Sequence, residues 1–171
     1  MCTNSRITVS FSLFFFYALS AFGQVSNAPA KENNLYSMAL FASLKEMDKS
    51  WGYIQDSYGN REQTNYHHML IFKNSEITDN LPTRSGDYQV EYLDIQAMID
   101  RYKSIRKEFA VVEIHPIYNE GARLRIQISV SWFMYRKKRM NLAFSDWSDV
   151  EFLYDCEKHT YIISSVKLGG I

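Results

Sequence analysis

The chain has 171 residues, with 19 basic side chains balanced by 19 acidic ones, 46% hydrophobic residues and 15% aromatic ones. A formal net charge of zero offers no global field to nucleic acid or to an anionic membrane, so neither is expected as the main partner.

The first residues carry one charge, Arg6, followed by an uncharged apolar run from Val9 to Phe22 and then small residues. That order reads as a cleavable signal peptide over residues 1–23, with Gln24 as the first mature residue. A membrane anchor would need about 20 apolar residues, and this run is shorter and broken by Ser10, Ser12 and Ser20. Cys2 precedes the apolar run, so it is not placed as a lipoprotein cysteine. Processing would leave Cys156, expected as a small buried side chain, with pairing to another chain as the alternative. The mature chain is long enough to bury about 70% of its unfolded surface, which suits one ordinary core over residues 35–171.

Residues 24–34 (QVSNAPAKENN) read as a flexible leader. From Leu35 the period turns helical: Leu40, Leu44, Met47 and Trp51 recur at steps of four, three and four. Asn33 or Asn34 can cap the start, and Gly52 and Gly59 bracket the end. Residues 60–68 form a polar connection with room for a short helix. Met69–Phe72 reads as a strand, and NSEITDNLPTRSGD as loop. Tyr88–Leu93 reads equally as strand or as the first turns of a helix that covers about 94–107, with Asp94 as its cap.

Downstream, Ala110–Tyr118 is β-rich and ends at Asn119-Glu120-Gly121. Leu124, Ile126, Ile128, Val130, Trp132 and Met134 alternate with polar residues, Arg136–Arg139 turn, Met140–Tyr154 return, and Asp155–His159 turn again before Thr160–Leu168. The expected fold class is α+β: N-terminal helices packed on a curved antiparallel four-stranded C-terminal meander, with both helices covering one face.

This element order, with Trp147, Val150 and Phe152 in one strand and Tyr161, Ile163 and Val166 in the last, resembles the nuclear transport factor two-like superfamily, in an exported bacterial form. The resemblance implies a cone-like α+β barrel with an apolar cavity at its mouth. It leaves function open between isomerases, cyclases, dehydratases and catalytically silent binding domains. The cystatin-like fold, one helix in a curled sheet, is the nearest competitor, and the second helix argues against it.

The candidate motifs for chemistry have simpler readings. His67 and His68 would point to opposite sides of a strand and cannot share an ion. Cys156-x-x-His159 lacks the second ligand pair of a structural zinc site and makes a good hairpin tip. Asp94, His115, Asp146 and Asp149 are the candidates for acid–base work, but capping and turn duties explain them. No catalytic residue, metal ligand or cofactor is therefore assigned. The basic run Arg136, Lys137, Lys138 and Arg139, with Trp132, Phe133, Tyr135 and Trp147, forms the candidate partner or ligand surface, since Phe133 and Tyr135 fall on the otherwise polar face of their strand.

The expected function is an exported, periplasmic or extracellular, non-enzymatic binding domain for a protein partner or a small apolar ligand. It would touch a membrane only through an uncleaved signal segment, and its oligomeric state is left open. The alternative is a small isomerase, cyclase or dehydratase with a carboxylate in an apolar pocket.

Overall fold

The computed structural model describes residues 34–51, 61–62, 64–121 and 123–170. The expected signal segment, the leader up to residue 33 and the glycines at 52 and 59 lie outside the described residues. Asn34 caps the first helix, its Oδ1 accepting from the Tyr36 amide at 3.0 Å and its carbonyl from Met38 at 3.0 Å. Helix α1 (Leu35–Trp51) contains neither glycine nor proline. Its predicted stripe faces inward, with Leu40, Leu44 and Met47 fully buried. The described part of 60–68 makes an isolated bridge from Arg61 to Glu108 and a turn, not a helix.

Strand β1 (His68–Phe72) leads to a one-turn helix α2 (Ser75–Thr78), the short strand β2 (Arg84–Ser85) and β3 (Tyr88–Leu93). Helix α3 (Ile95–Ile105) starts at Asp94, whose Oδ1 accepts from the Ala97 amide at 2.8 Å. It ends at Arg106 in the left-handed conformation (φ 54°). Then come β4 (Phe109–Ile114), β5 (Tyr118–Glu120), β6 (Arg123–Arg136), β7 (Arg139–Asp155) and β8 (Thr160–Gly170).

The expected helix-covered antiparallel meander, and with it the cone-like barrel, is overturned. All strands join one mixed eight-stranded sheet in the order β2-β3-β1-β4-β6-β7-β8, with β5 on β6. β1 runs parallel to both β3 and β4, while the pairs from β4 onward are antiparallel. Tyr88–Leu93 is a strand, so residues 88–114 form a strand-helix-strand crossover, which makes β3 and β4 parallel.

The helices also sit on opposite faces. The α1 face buries Met69, Ile71, Val90, Val112, Ile126, Ile128, Val150 and Phe152. The other face buries Leu70, Val111, Phe109 and Phe133 with Met98 of α3. Because successive strand residues point to opposite faces, β1, β4 and β6 are apolar on both sides where they meet and need a helix over each.

Where α1 crosses β7 the contact is polar and close: the Ser148 hydroxyl donates to Ser43 at 2.6 Å, with both residues fully buried. Cys156, expected to be buried, is exposed in the β7–β8 turn.

Phe133 is fully buried and stacks on Phe109 with ring centroids 5.1 Å apart. Phe133→Ala is expected to destabilise the fold by about 3–5 kcal/mol in chemical denaturation, and a loss below about 1 kcal/mol would argue that α3 does not cover this face. The β6–β7 turn places Lys137 (φ 51°) and Lys138 (φ 60°) in the left-handed region, which favours Asn-Gly. Replacing the pair with Asn-Gly should raise stability by about 1 kcal/mol or more in the same assay.

Candidate interaction surface

Helix α3 covers only one end of its sheet face. Beyond it, cross-strand partners share a face and form four rows: Ser129, Trp147 and Gly169; Gln127, Asp149 and Lys167; Arg125, Glu151 and Ser165; Arg123, Leu153 and Ile162. No described helix packs over these rows.

Their middle is a charge lattice. Glu151 receives Lys167 Nζ at 2.7 Å and Arg123 at 3.4 Å, while Arg125 reaches Glu120 at 3.0 Å and Asp149 at 3.9 Å. The hydrogen bond from Lys167, more than the opposing desolvation, holds the Glu151 carboxyl below its ordinary value. The lattice is flanked by apolar side chains. Leu153 (37% exposed) and Ile162 (39%) lie at one end, and exposed Tyr118 pairs with Arg125 from β5. Met140, Leu142 and Phe144, also exposed, lie at the other. Trp147 rests over Gly169, where an added Cβ would fall inside the indole ring, so only glycine fits beneath it.

The residues proposed from sequence do not form one surface. Trp132 (5% exposed) lies in the core on the α1 side with the Arg61 guanidinium 4.5 Å from its ring centre. Phe133 (0%) points the opposite way, under α3. Both are thereby removed from any partner surface. Tyr135 is half-buried against the α3 cluster, with Lys103 Nζ 6.0 Å from its ring. Arg136 donates to the Tyr102 hydroxyl at 3.3 Å and reaches Glu108 at 3.5 Å. Lys137, Lys138 and Arg139 are exposed at the tip, and Trp147 alone of the eight lies within the four uncovered rows.

The acid–base candidates are also dispersed. Asp94 caps α3, Asp149 faces Arg125, Asp146 takes a hydrogen bond from Ser145, and His115 Nε2 lies 2.9 Å from Ser129 Oγ. The buried polar side chains among the described residues are Ser43, Thr78, Ser129, Ser131 and Ser148, all hydroxyls.

One arrangement escaped the sequence reading. A cleft of about 570 Å³ opens between Asp48, Glu62, His67, Arg101, Phe109 and Ala110, among others. His67 Nε2 lies 3.2 Å from Asp48, and its ring stacks on Tyr88 at 4.9 Å, while the Tyr88 hydroxyl donates to the same carboxylate at 3.2 Å. Burial, helped by Asp48, pushes the Tyr88 phenol above its ordinary value. Arg101 donates to both oxygens of Glu62, at 3.0 and 3.1 Å. The Tyr88–Asp48 and Arg101–Glu62 pairs span 40 and 39 positions of sequence, a separation no local pattern reveals. Among the described residues no three His, Cys, Asp or Glu side chains gather to hold a metal ion.

Asp155, like Glu151, titrates low; backbone and side-chain hydrogen bonds from Lys158 are the main causes. A carboxyl lowered on folding stabilises the native state above its unfolded value near pH 4, and that contribution is lost as pH falls through the folded value. The denaturation midpoint should therefore drop below about pH 4. Glu151→Gln, which cannot titrate, should lower the midpoint at pH 7 and flatten the acid limb, and superimposable pH profiles would contradict the lattice. No protein-family profile, curated protein or solved structure matches the chain.

Proposed function

We propose that the chain is an exported, non-enzymatic binding domain that docks a protein partner on the uncovered face of β6, β7 and β8. The observation that carries this reading is the composition of that face: a compensated charge lattice bounded by exposed leucine, isoleucine and aromatic side chains. Protein interfaces combine apolar anchors with paired polar groups in this way.

The chemistry favours protein over the other partners. Arg123, Arg125 and Lys167 are matched by Glu120, Asp149 and Glu151, so the face has little excess positive charge for a phosphate backbone. The cleft walls are mainly polar and their charges are mutually paired, which suits a small apolar ligand poorly. The isomerase, cyclase or dehydratase alternative needs a carboxylate in an apolar pocket, and the binding reading needs none.

Leu153→Asp combined with Ile162→Asp tests the reading. The two are cross-strand partners, 37% and 39% exposed, so aspartates opposite one another should cost the fold about 1–2 kcal/mol in total, and chemical denaturation of the double variant checks that it stays folded. The immobilised purified chain, challenged with proteins exported by its own host, should retain a stoichiometric partner, and the double variant should lose at least about tenfold in affinity for it. Equal capture by both proteins, with the fold intact by circular dichroism, would overturn the proposal.

A further inference from the structure

The zero net charge hides a separation. Helix α3 ends at the tip of the β6–β7 hairpin: Arg136 Nε donates to the Tyr102 hydroxyl at 3.3 Å, and Lys103 Nζ lies 6.0 Å from the centre of the Tyr135 ring. Lys103, Arg106 and Lys107 at the helix end are exposed, and so are Arg136, Lys137, Lys138 and Arg139 at the tip. Among the described residues two carboxylates touch this group, Asp100 on Lys103 and Glu108 on Arg136. Seven cations against these two leave an excess of five positive charges at one pole, and the rest of a chain with 19 charges of each sign carries the matching negative excess. Arg106, Lys107, Lys137, Lys138 and Arg139 form no ion pair among the described residues.

The same pole carries apolar side chains. β4 reaches β6 only as far as Phe133, and β8 reaches β7 only as far as Asp146, so the hairpin tip projects past both neighbours and leaves that edge of β7 open. Met140, Leu142 and Phe144 oppose Tyr135, Phe133 and Ser131, which places them on the α3 face beside the basic helix end. All three are exposed, between 36% and 46%.

We infer that this pole docks on an anionic phospholipid surface, with its lysines and arginines among the headgroups and Met140, Leu142 and Phe144 at the acyl boundary. Basic side chains beside protruding apolar ones are the composition that binds such an interface. A nucleic-acid backbone would use the cations and leave the aliphatic side chains in water. A protein partner must be shaped to a projecting tip, whereas lipids pack around one. The negative excess on the rest of the chain is repelled by the same surface, so the molecule meets it pole first. Each basic residue held close to an anionic leaflet strengthens binding about fivefold, within a screening length of about 8 Å in physiological salt.

Co-sedimentation of the purified chain with lipid vesicles tests it. Binding to phosphatidylcholine vesicles that contain phosphatidylglycerol should exceed binding to phosphatidylcholine alone at least about tenfold, and should fall as salt is raised. Lys137→Asn with Lys138→Gly, expected above to make the fold more stable, removes two charges and should weaken this binding about 25-fold, a loss that unfolding cannot explain. Leu142→Ser should weaken it several-fold with the salt dependence unchanged. Equal binding to both vesicles, no loss in the Asn-Gly variant, or full binding by Leu142→Ser would overturn the inference, the last outcome marking a general polyanion site. The test of the docking face rests on Leu153 and Ile162, at the far end of the sheet. Leu153→Asp with Ile162→Asp should leave vesicle binding intact, and the Asn-Gly variant should still capture the protein partner, so failure of one proposal is distinguishable from failure of the other.

Discussion

Trp132 and Phe133 are neighbours in β6 and both are buried, one in the core beneath α1 and the other beneath α3. Two adjacent large aromatic side chains in a strand project to opposite faces, so hiding both from water demands a cover on each side. Full burial of one such side chain is worth about 1.5–3 kcal/mol, and the same double-sided pattern extends through β1 and β4. The placement of α1 and α3 on opposite faces, the parallel pairing of β1 with β3 and β4, and the position of the uncovered face all follow from that requirement.

The covers are unequal in reach. An eleven-residue α3 is about 16 Å long, whereas the fourteen residues of β6 span about 46 Å. The helix therefore shields the segment around Phe133 and stops. Past its end the same face of the sheet changes chemistry, from Phe133 and Val111 to Ser129, Gln127, Arg125 and Arg123. The polar residues pair across strands because like and opposite charges lie close together there, and the apolar side chains that remain are confined to the two ends. One limit on helix length thus produces a bare, chemically mixed surface.

Much of this architecture was legible locally. The steps of four and three through Leu40, Leu44 and Met47 located α1, Asp94 located the start of α3, and the alternation from Leu124 to Trp132 located β6. The ambiguity at Tyr88–Leu93 decided the topology. Taken as helix, it leaves an antiparallel meander; as the strand it is, it completes a crossover and makes the sheet mixed. Phe133 and Tyr135 already signalled that the polar face of β6 was not uniformly wet, but their sequence cannot say whether a partner or a helix of the same chain supplies the cover. The Asp48, His67 and Tyr88 contact was invisible because it is made by folding alone. The open β7 edge was hidden for a related reason, since it depends on where β8 stops.

The sheet is sealed on both faces at one end and bare on one face at the other. Hydroxyl-radical footprinting of the folded chain, read by mass spectrometry at individual side chains, tests it most directly. Trp132, Phe133 and Met98 should be strongly protected while Leu153, Ile162 and Phe144 react several-fold faster than they do, though more slowly than in the unfolded chain. Rapid labelling of Phe133 and Met98, or protection of Leu153 and Ile162 in the isolated monomer, would contradict the account.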